Sequence, residues 1–381
     1  MRRHSLALPF VVLLVSGCHA LFGGVKLAEV ASAAEKPSNV ALIVSVTQKE
    51  QPVIDLGPAA FSLREDDQPL DAEAVDLRLL DPATVAAFHT VLLVDLSHGN
   101  NDEHRRQLAR AAATFVRRAR QKQNVTVLAF DGSQRTRLVG DFPFESSGVG
   151  PDQLENLLFM PLGDPSRNLN GAVISAMNVL DRRLERSNRV VRVGTLVVFS
   201  RGPDVAGRVP NSDVDKRVSD TEHQLVYVDV AGDQSNDVTA ALARGGAVES
   251  ENAETLPIAF EEAAMRVNRL LGQYYLLSYC SPARAGERKL YVEVQVADAD
   301  GKMDGDDFET KFDATGFSPN CNAGVPPRFT VVRHAGGHHS SKRTAPGAQG
   351  DVTVDAPATE SEEDSEPEDE VPPPKNRGYA P

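Results

Sequence analysis

The chain has 381 residues, 41% of them apolar, so it is long enough for one large folded domain with appendages or for two domains. Its formal net charge of −14 is unevenly spread, because residues 351–370 hold ten acidic residues and no basic ones. The remainder is nearly balanced. It lacks the basic footprint that binding to DNA or RNA requires, so we expect no nucleic-acid partner.

The first residues have the pattern of an export signal. Arg2 and Arg3 precede an apolar stretch from Leu6 to Val15, which is shorter than the roughly 20 residues that span a bilayer. The stretch ends in Val15-Ser16-Gly17-Cys18, which resembles the lipobox of bacterial lipoproteins, where a diacylglyceryl group is attached to the cysteine. The resemblance implies a signal peptide over residues 1–17 and a membrane anchor on Cys18.

An alternative cleavage site remains open, near Ala31-Ser32-Ala33, where small residues also alternate. Either site predicts an exported protein. After Cys18 comes His19 rather than the aspartate that resembles an inner-membrane retention signal. We therefore expect a lipoprotein of the outer membrane, facing the periplasm or the cell surface.

The three cysteines fit an oxidising compartment. Lipidation of Cys18 leaves Cys280 and Cys321 as an even pair, which predicts a disulfide. Two unrelated buried thiols are the alternative.

The apolar pattern changes along the chain. Strands are predicted at Val40–Val46, Phe61–Arg64 and Ala74–Leu80, after a small, polar tether over residues 18–36. From residue 88 to 272, apolar strands alternate with amphipathic helices, which predicts an open, mostly parallel sheet flanked by helices. The predicted strands there are Val91–Val94, Val125–Phe130, Arg137–Val139, Thr195–Phe199 and Leu225–Val230, with helices over 103–122, 168–187 and 253–272.

After residue 272 the strands follow one another without helices. Residues 273–335 predict antiparallel additions, or a small sheet shared with the N-terminal strands of residues 37–87. Residues 336–381 are rich in His, Ser, acidic residues and Pro, so they predict a disordered tail.

The stretch HTVLLVDLSHG, residues 89–99, ends a core strand with a carboxylate and a hydroxyl. It resembles the first metal-site motif of von Willebrand factor A domains, D-x-S-x-S. In that family two serines, a threonine and two aspartates from three loops hold a divalent cation such as Mg²⁺, a hard ion that prefers oxygen ligands. Asp95 and Ser97 match the motif, but Gly99 stands at the second serine.

The other two loops depart further from the family. The threonine position falls at or beside Arg167, with Ser166 as the nearby hydroxyl, and the family's T-D-G is Ser200-Arg201-Gly202. We expect Arg201 to replace the metal by forming an ion pair with Asp95. The alternative is a Mg²⁺ site completed by Asp204, Ser166 or a shifted loop.

No catalytic motif accompanies this fold: the sequence has no G-x-S-x-G, H-E-x-x-H or phosphate-binding glycine loop. The resemblance implies a non-catalytic module without a cofactor, whose face around Asp95, Asn168 and Arg201 meets an envelope or extracellular protein. A structural envelope lipoprotein with an inert face, and a cation-dependent binder, are the alternatives.

Overall fold

The computed structural model describes residues 24–97, 102–144, 154–230, 236–297 and 300–329. The predicted signal peptide, Cys18, Gly99 and the acidic tail lie outside these residues. Within them, no helix is both long enough and apolar enough to cross a membrane.

Fifteen strands and six helices make up the described residues. The N-terminal part holds β1 (Val25–Glu35), β2 (Asn39–Gln48), β3 (Gln51–Pro52), β4 (Phe61–Glu65), β5 (Gln68–Pro69) and β6 (Arg78–Leu80). The central part holds β7 (Ala86–Asp95), α1 (Asp102–Ala119), β8 (Asn124–Phe130), β9 (Arg137–Phe142), α2 (Asn156–Phe159), α3 (Leu169–Glu185), β10 (Val191–Phe199), α4 (Asn211–Ser219), β11 (Gln224–Val230), α5 (Asp237–Leu242), β12 (Ala247–Ser250) and α6 (Leu256–Leu271). The last part holds β13 (Tyr274–Cys280), β14 (Glu287–Ala297) and β15 (Met303–Asp313).

The central sheet has the strand order β12-β11-β10-β7-β8-β9, and β9 is its antiparallel member. Strands β7 and β10 contain the continuous apolar runs Val91–Val94 and Leu196–Phe199, as expected for strands that helices cover on both faces. Helices α1 and α6 pack on one face, and α3, α4 and α5 on the other. The predicted fold class is therefore confirmed.

Two smaller antiparallel sheets form a β wing. The first wing sheet has the order β1-β2-β13-β6, and the second has the order β15-β14-β4-β5. Side chains such as Leu42, Leu277 and Val292 fill the core between them. Strands from both ends of the chain share each sheet, so the two predicted sets of flanking strands form one β wing.

The β wing covers the end of the central sheet where β7 and β10 begin. Ile43 and Leu276, on the outer face of the first wing sheet, pack with Phe88 and Val191. The carboxyl ends of the parallel strands lie at the opposite edge of the sheet, so the wing leaves that edge uncovered.

Two sequence predictions are corrected. Residues 25–35 of the predicted tether form β1, which pairs along its length with β2. Its small residues suggested a linker, but pairing and the burial of Val25 and Leu27 stabilise a strand. The predicted strand at Ala74–Leu80 is confined to Arg78–Leu80, because residues 72–76 form turns.

The predicted disulfide is confirmed. Cys280, at the end of β13, is bonded to Cys321, with 5.7 Å between their Cα atoms. The bond ties the segment after β15 back to the first wing sheet. Asn39 holds the same segment, because its Nδ2 donates to the carbonyls of Asn322 and Val325.

His89 on β7 makes the stability depend on pH. Its Nε2 lies 2.9 Å from Thr126 Oγ1, which donates its own proton to Asp141, so Nε2 carries the proton. Burial first, and then the charge of Arg183, lowers the pKa of His89 to about 4. The folded protein thus disfavours protonated His89.

We expect the free energy of unfolding to fall as the pH drops from about 6.5 to about 4, since the unfolded histidine takes up a proton first. The loss from this residue is up to about 3 kcal/mol, and is absent above pH 6.5. Urea unfolding at several pH values measures this effect. The free energy of unfolding of the His89→Gln variant should depend less steeply on pH than that of the wild type. The same pH dependence in the variant and the wild type would contradict the assignment. Other groups, such as His223, whose pKa burial also lowers, supply the pH dependence that remains in the variant.

Candidate functional site

The candidate site lies where the carboxyl ends of β7, β8 and β10 meet. We call the loops that follow these strands, together with the loop between α2 and α3, the upper face; its described residues are 96–97, 131–136, 160–168 and 200–209. Asp95 ends β7, and its side chain has no exposed surface. A buried carboxylate must be hydrogen-bonded or paired, so its contacts define what the site can hold.

Asp95 accepts hydrogen bonds at both oxygens. Oδ1 accepts from the backbone N–H of Ser97 at 2.7 Å. Oδ2 accepts from Arg167 Nε at 2.8 Å and from the backbone N–H of Arg201 at 3.0 Å, and Ser200 Oγ lies 3.3 Å away. One guanidinium and three neutral groups therefore surround the charge.

Arg167, and not Arg201, forms the ion pair with Asp95, so that prediction is wrong. Arg167 is only 12% exposed, and its Nη1 also donates to the Pro203 carbonyl at 3.1 Å. Arg201 contributes its backbone N–H, because the chain turns sharply just after β10 and directs that group toward Asp95. The positively charged side chain beside Asp95 therefore comes from Arg167, at the family's threonine position, and not from Arg201, at its aspartate position.

The other predicted site residues are engaged in different contacts. Ser97 Oγ lies 3.2 Å from Arg167 Nε, on the same guanidinium as Asp95. Ser166 donates its hydroxyl and its N–H to Asp164. Asp204 accepts from the N–H groups of Asn170 and Gly207, which fastens the third loop to the start of α3.

Asn168 is a buried residue that connects two loops of the upper face. It is 2% exposed, and its side chain accepts from Gly171 N–H at the start of α3. Its Nδ2 donates to the Ser133 carbonyl, and its backbone N–H donates to the Asp131 carbonyl. It joins two loops, and its burial leaves it little surface for a partner.

Sequence reasoning missed a second buried carboxylate, Asp131, at the end of β8. Arg137 Nη2 lies 3.0 Å from Asp131 Oδ2, and the Asp131 side chain is 1% exposed. Burial alone would raise the pKa of Asp131, but hydrogen bonds from Ser133 and Gly163 and the charge of Arg137 hold it below its usual value. The sequence carried a signal, because Phe130-Asp131 repeats the pattern of Val94-Asp95, an apolar strand that ends in aspartate.

A third pair joins the loops near the surface. Arg208 Nη2 lies 2.8 Å from Asp164 Oδ2, and Arg208 Nε donates to the Gly132 carbonyl. Hydrogen bonds from Ser166, and then the Arg208 guanidinium, hold the pKa of Asp164 below its usual value. Each of the three aspartates Asp95, Asp131 and Asp164 thus has an arginine as its partner.

No protein-family model and no curated protein matches the chain. Solved structures with a similar fold include a von Willebrand factor type A protein from Catenulispora acidiphila, at 10% identity and a TM-score of 0.40, over 80% of this chain and 76% of that one. The PilB minor pilin of Streptococcus sanguinis matches at 9% identity and a TM-score of 0.35, over 65% and 79%. Proximal thread matrix protein 1 of the mussel byssus, with a zinc-occupied MIDAS motif, matches at 11% and 0.37, over 56% and 50%.

The strand order β12-β11-β10-β7-β8-β9, with one antiparallel edge strand and helices on both faces, decides the fold. The central domain has a von Willebrand factor A-like fold.

In the described part of this von Willebrand factor A-like domain, the carboxylate that ends β7 is already paired with the Arg167 guanidinium. The Asp95 oxygen that would face the ion is 2.8 Å from a guanidinium nitrogen, so a cation there would meet a positive charge. Among the described residues, no group of three or more His, Cys, Asp or Glu side chains could hold a metal. Hard dications prefer several oxygen ligands, and here both oxygens of Asp95 already accept hydrogen bonds from the protein.

Proposed function

We propose that this protein is an exported, lipid-anchored interaction module whose upper face binds a protein partner without a divalent cation. The single observation that carries the proposal is the Asp95–Arg167 pair, which supplies within the chain the positive charge that Mg²⁺ would bring. A charge-assisted pair holds the first and second loops together, so the upper face needs no ion to take its shape.

Exposed apolar side chains support a partner-binding role for this face. Val205 lies in the third loop, and its backbone N–H donates to the Arg167 carbonyl. Its side chain is 63% exposed, and that of Leu162 is 39% exposed. Phe159, three residues before Leu162, is 80% exposed. The Arg208–Asp164 pair links the segments that carry Leu162 and Val205. Exposed apolar groups that form a patch are typical of protein-interaction sites, and we infer that these groups do so.

The lipid anchor rests on the N-terminal sequence, and β1 supports it over the alternative cleavage site. Cleavage near Ala31-Ser32-Ala33 would divide β1, whose residues 31–35 pair with residues 39–43 of β2. Cleavage before Cys18 leaves the whole strand in the mature protein. The non-catalytic assignment rests on the sequence motifs and the family resemblance, and the surroundings of Ser97 support it. Its hydroxyl lies beside the Arg167 guanidinium, which cannot act as a base.

A photocrosslinking experiment tests the proposed function. Val205 is replaced by p-benzoylphenylalanine, and Ile258, which is 69% exposed on α6, is replaced in a matched control. We expect a discrete crosslinked product in intact cells from position 205 and none from position 258. The product should form equally with and without EDTA, because the proposed face contains no metal.

Two outcomes would contradict the proposal. Loss of the position-205 product in EDTA would favour the cation-dependent binder. The absence of products at position 205 would favour a structural envelope protein with an inert upper face.

A further inference from the structure

Helix α1 has an unusual charge distribution for a chain with a net charge of −14. Its acidic residues, Asp102 and Glu103, lie in the first turn. No acidic residue follows up to Lys122, and this stretch holds seven basic ones: Arg105, Arg106, Arg110, Arg117, Arg118, Arg120 and Lys122. Exposed helices usually mix both signs at neighbouring positions, as Asp181 and Glu185 do among the arginines of α3.

Exposed basic side chains lie on the solvent-facing side of α1 and in the turn after it. Leu108, Phe115 and the alanines of the helix face the central core, which leaves the opposite side exposed. Arg110, Arg117, Arg118 and Lys122 are all exposed, and within the described parts of the chain none of them forms an ion pair. We call these four residues the α1 stripe.

The spacing of the α1 stripe suits a linear ligand. Arg110 and Arg117 are two helical turns apart on one side of the helix, about 10 Å along its axis. Lys122 lies in the turn just after the helix, and its side chain is exposed. Three of the four cations are arginines, whose planar guanidinium groups match sulfate and phosphate oxygens with two parallel hydrogen bonds.

We propose that the α1 stripe binds an anionic polysaccharide bearing sulfate or phosphate groups. This second surface lies on a flank of the central domain and is separate from the upper face. An exported protein meets such polymers in the envelope and outside the cell. Repeated charges along a chain complement a row of cations better than a single small anion does.

A flat lipid surface fits less well. The N-terminal end of β1, where the proposed anchor would enter, is flanked by acidic side chains. Asp304 and Asp306 accept hydrogen bonds from the backbone N–H groups of Val25 and Leu27. Carboxylates at that end oppose close contact with anionic headgroups.

Binding of fluorescein-labelled heparin to the full chain, measured by anisotropy, tests the proposal. The chain carries Cys18→Ser so that no lipid contributes. We expect Arg110→Gln/Arg117→Gln to weaken binding about tenfold, the loss expected for two surface charge contacts. The matched control is Arg182→Gln/Arg186→Gln on the other face of the sheet, where both arginines are exposed. It should change binding less than twofold, and urea unfolding should show both variants folded.

Several results would overturn the proposal. Equal losses in the two double variants would show diffuse charge attraction and no defined stripe. Polyglutamate or double-stranded DNA that binds as tightly as heparin would assign the stripe to an acidic polypeptide or to nucleic acid. Absence of heparin binding at low salt would remove the proposal altogether. The Arg110→Gln/Arg117→Gln variant should still give the product at position 205, which separates this test from that of the upper face.

Discussion

Replacing Arg167 by methionine is expected to lower the free energy of unfolding by about 3 to 5 kcal/mol. The substitution keeps an apolar stem but removes the cation, so Asp95 is left charged and fully buried. Backbone N–H groups from Ser97 and Arg201 remain, but they bring no net positive charge. Urea unfolding followed by circular dichroism measures the loss.

Arg208→Met is the matched control for Arg167→Met. Its pair with Asp164 is more exposed, at 39% and 29% of the side chains, so its loss should cost less than about 1 kcal/mol. Adding Asp95→Asn to Arg167→Met should recover part of the lost stability, because the uncompensated charge is removed. A cost for Arg167→Met no larger than that for Arg208→Met would show that the buried pair does not hold the loops.

Removing the disulfide is expected to lower the free energy of unfolding by about 4 kcal/mol. Cys280 and Cys321 are 41 residues apart, and the chain-entropy model gives this value for a closed loop of that length. The variant is Cys280→Ala/Cys321→Ala, measured by urea unfolding against the oxidised wild type.

Reductant supplies the control for the disulfide prediction. It should lower the stability of the wild type toward that of the double variant and leave the double variant unchanged, which excludes an effect through Cys18. A double variant within about 1 kcal/mol of the wild type would contradict the prediction. In that case the hydrogen bonds from Asn39 to the segment after β15 would suffice to hold it.

Periodicity predicted the central sheet well because its strands are unbroken apolar runs between amphipathic helices. Short elements such as α2 and β12 were missed, since four residues carry too little pattern. Strand β1 was missed for another reason. Its small residues have no strong local preference, and its long pairing with β2 determines its structure.

The sequence predicted which charged residues lie at the candidate site, but it did not predict which of them contact each other. Sequence alone showed that Asp95 is retained and that arginines stand at two family ligand positions. It could not show which arginine reaches Asp95, because this depends on how three loops distant in sequence approach one another. At position 201 the backbone faces the carboxylate, and at position 167 the side chain does.

The interleaving of the β wing constrains how this protein acquires its structure. β2 pairs with β13, a strand that is synthesised only after the entire central domain. β1 can pair with one edge of β2 early, but the other edge stays unpaired until β13 is made. The apolar row Val40, Leu42, Val44 and Val46 likewise lacks its core partners on β13 and β14 until then. Such long-range pairing slows folding and leaves the open edge of β2 as a template for aggregation until β13 has paired with it.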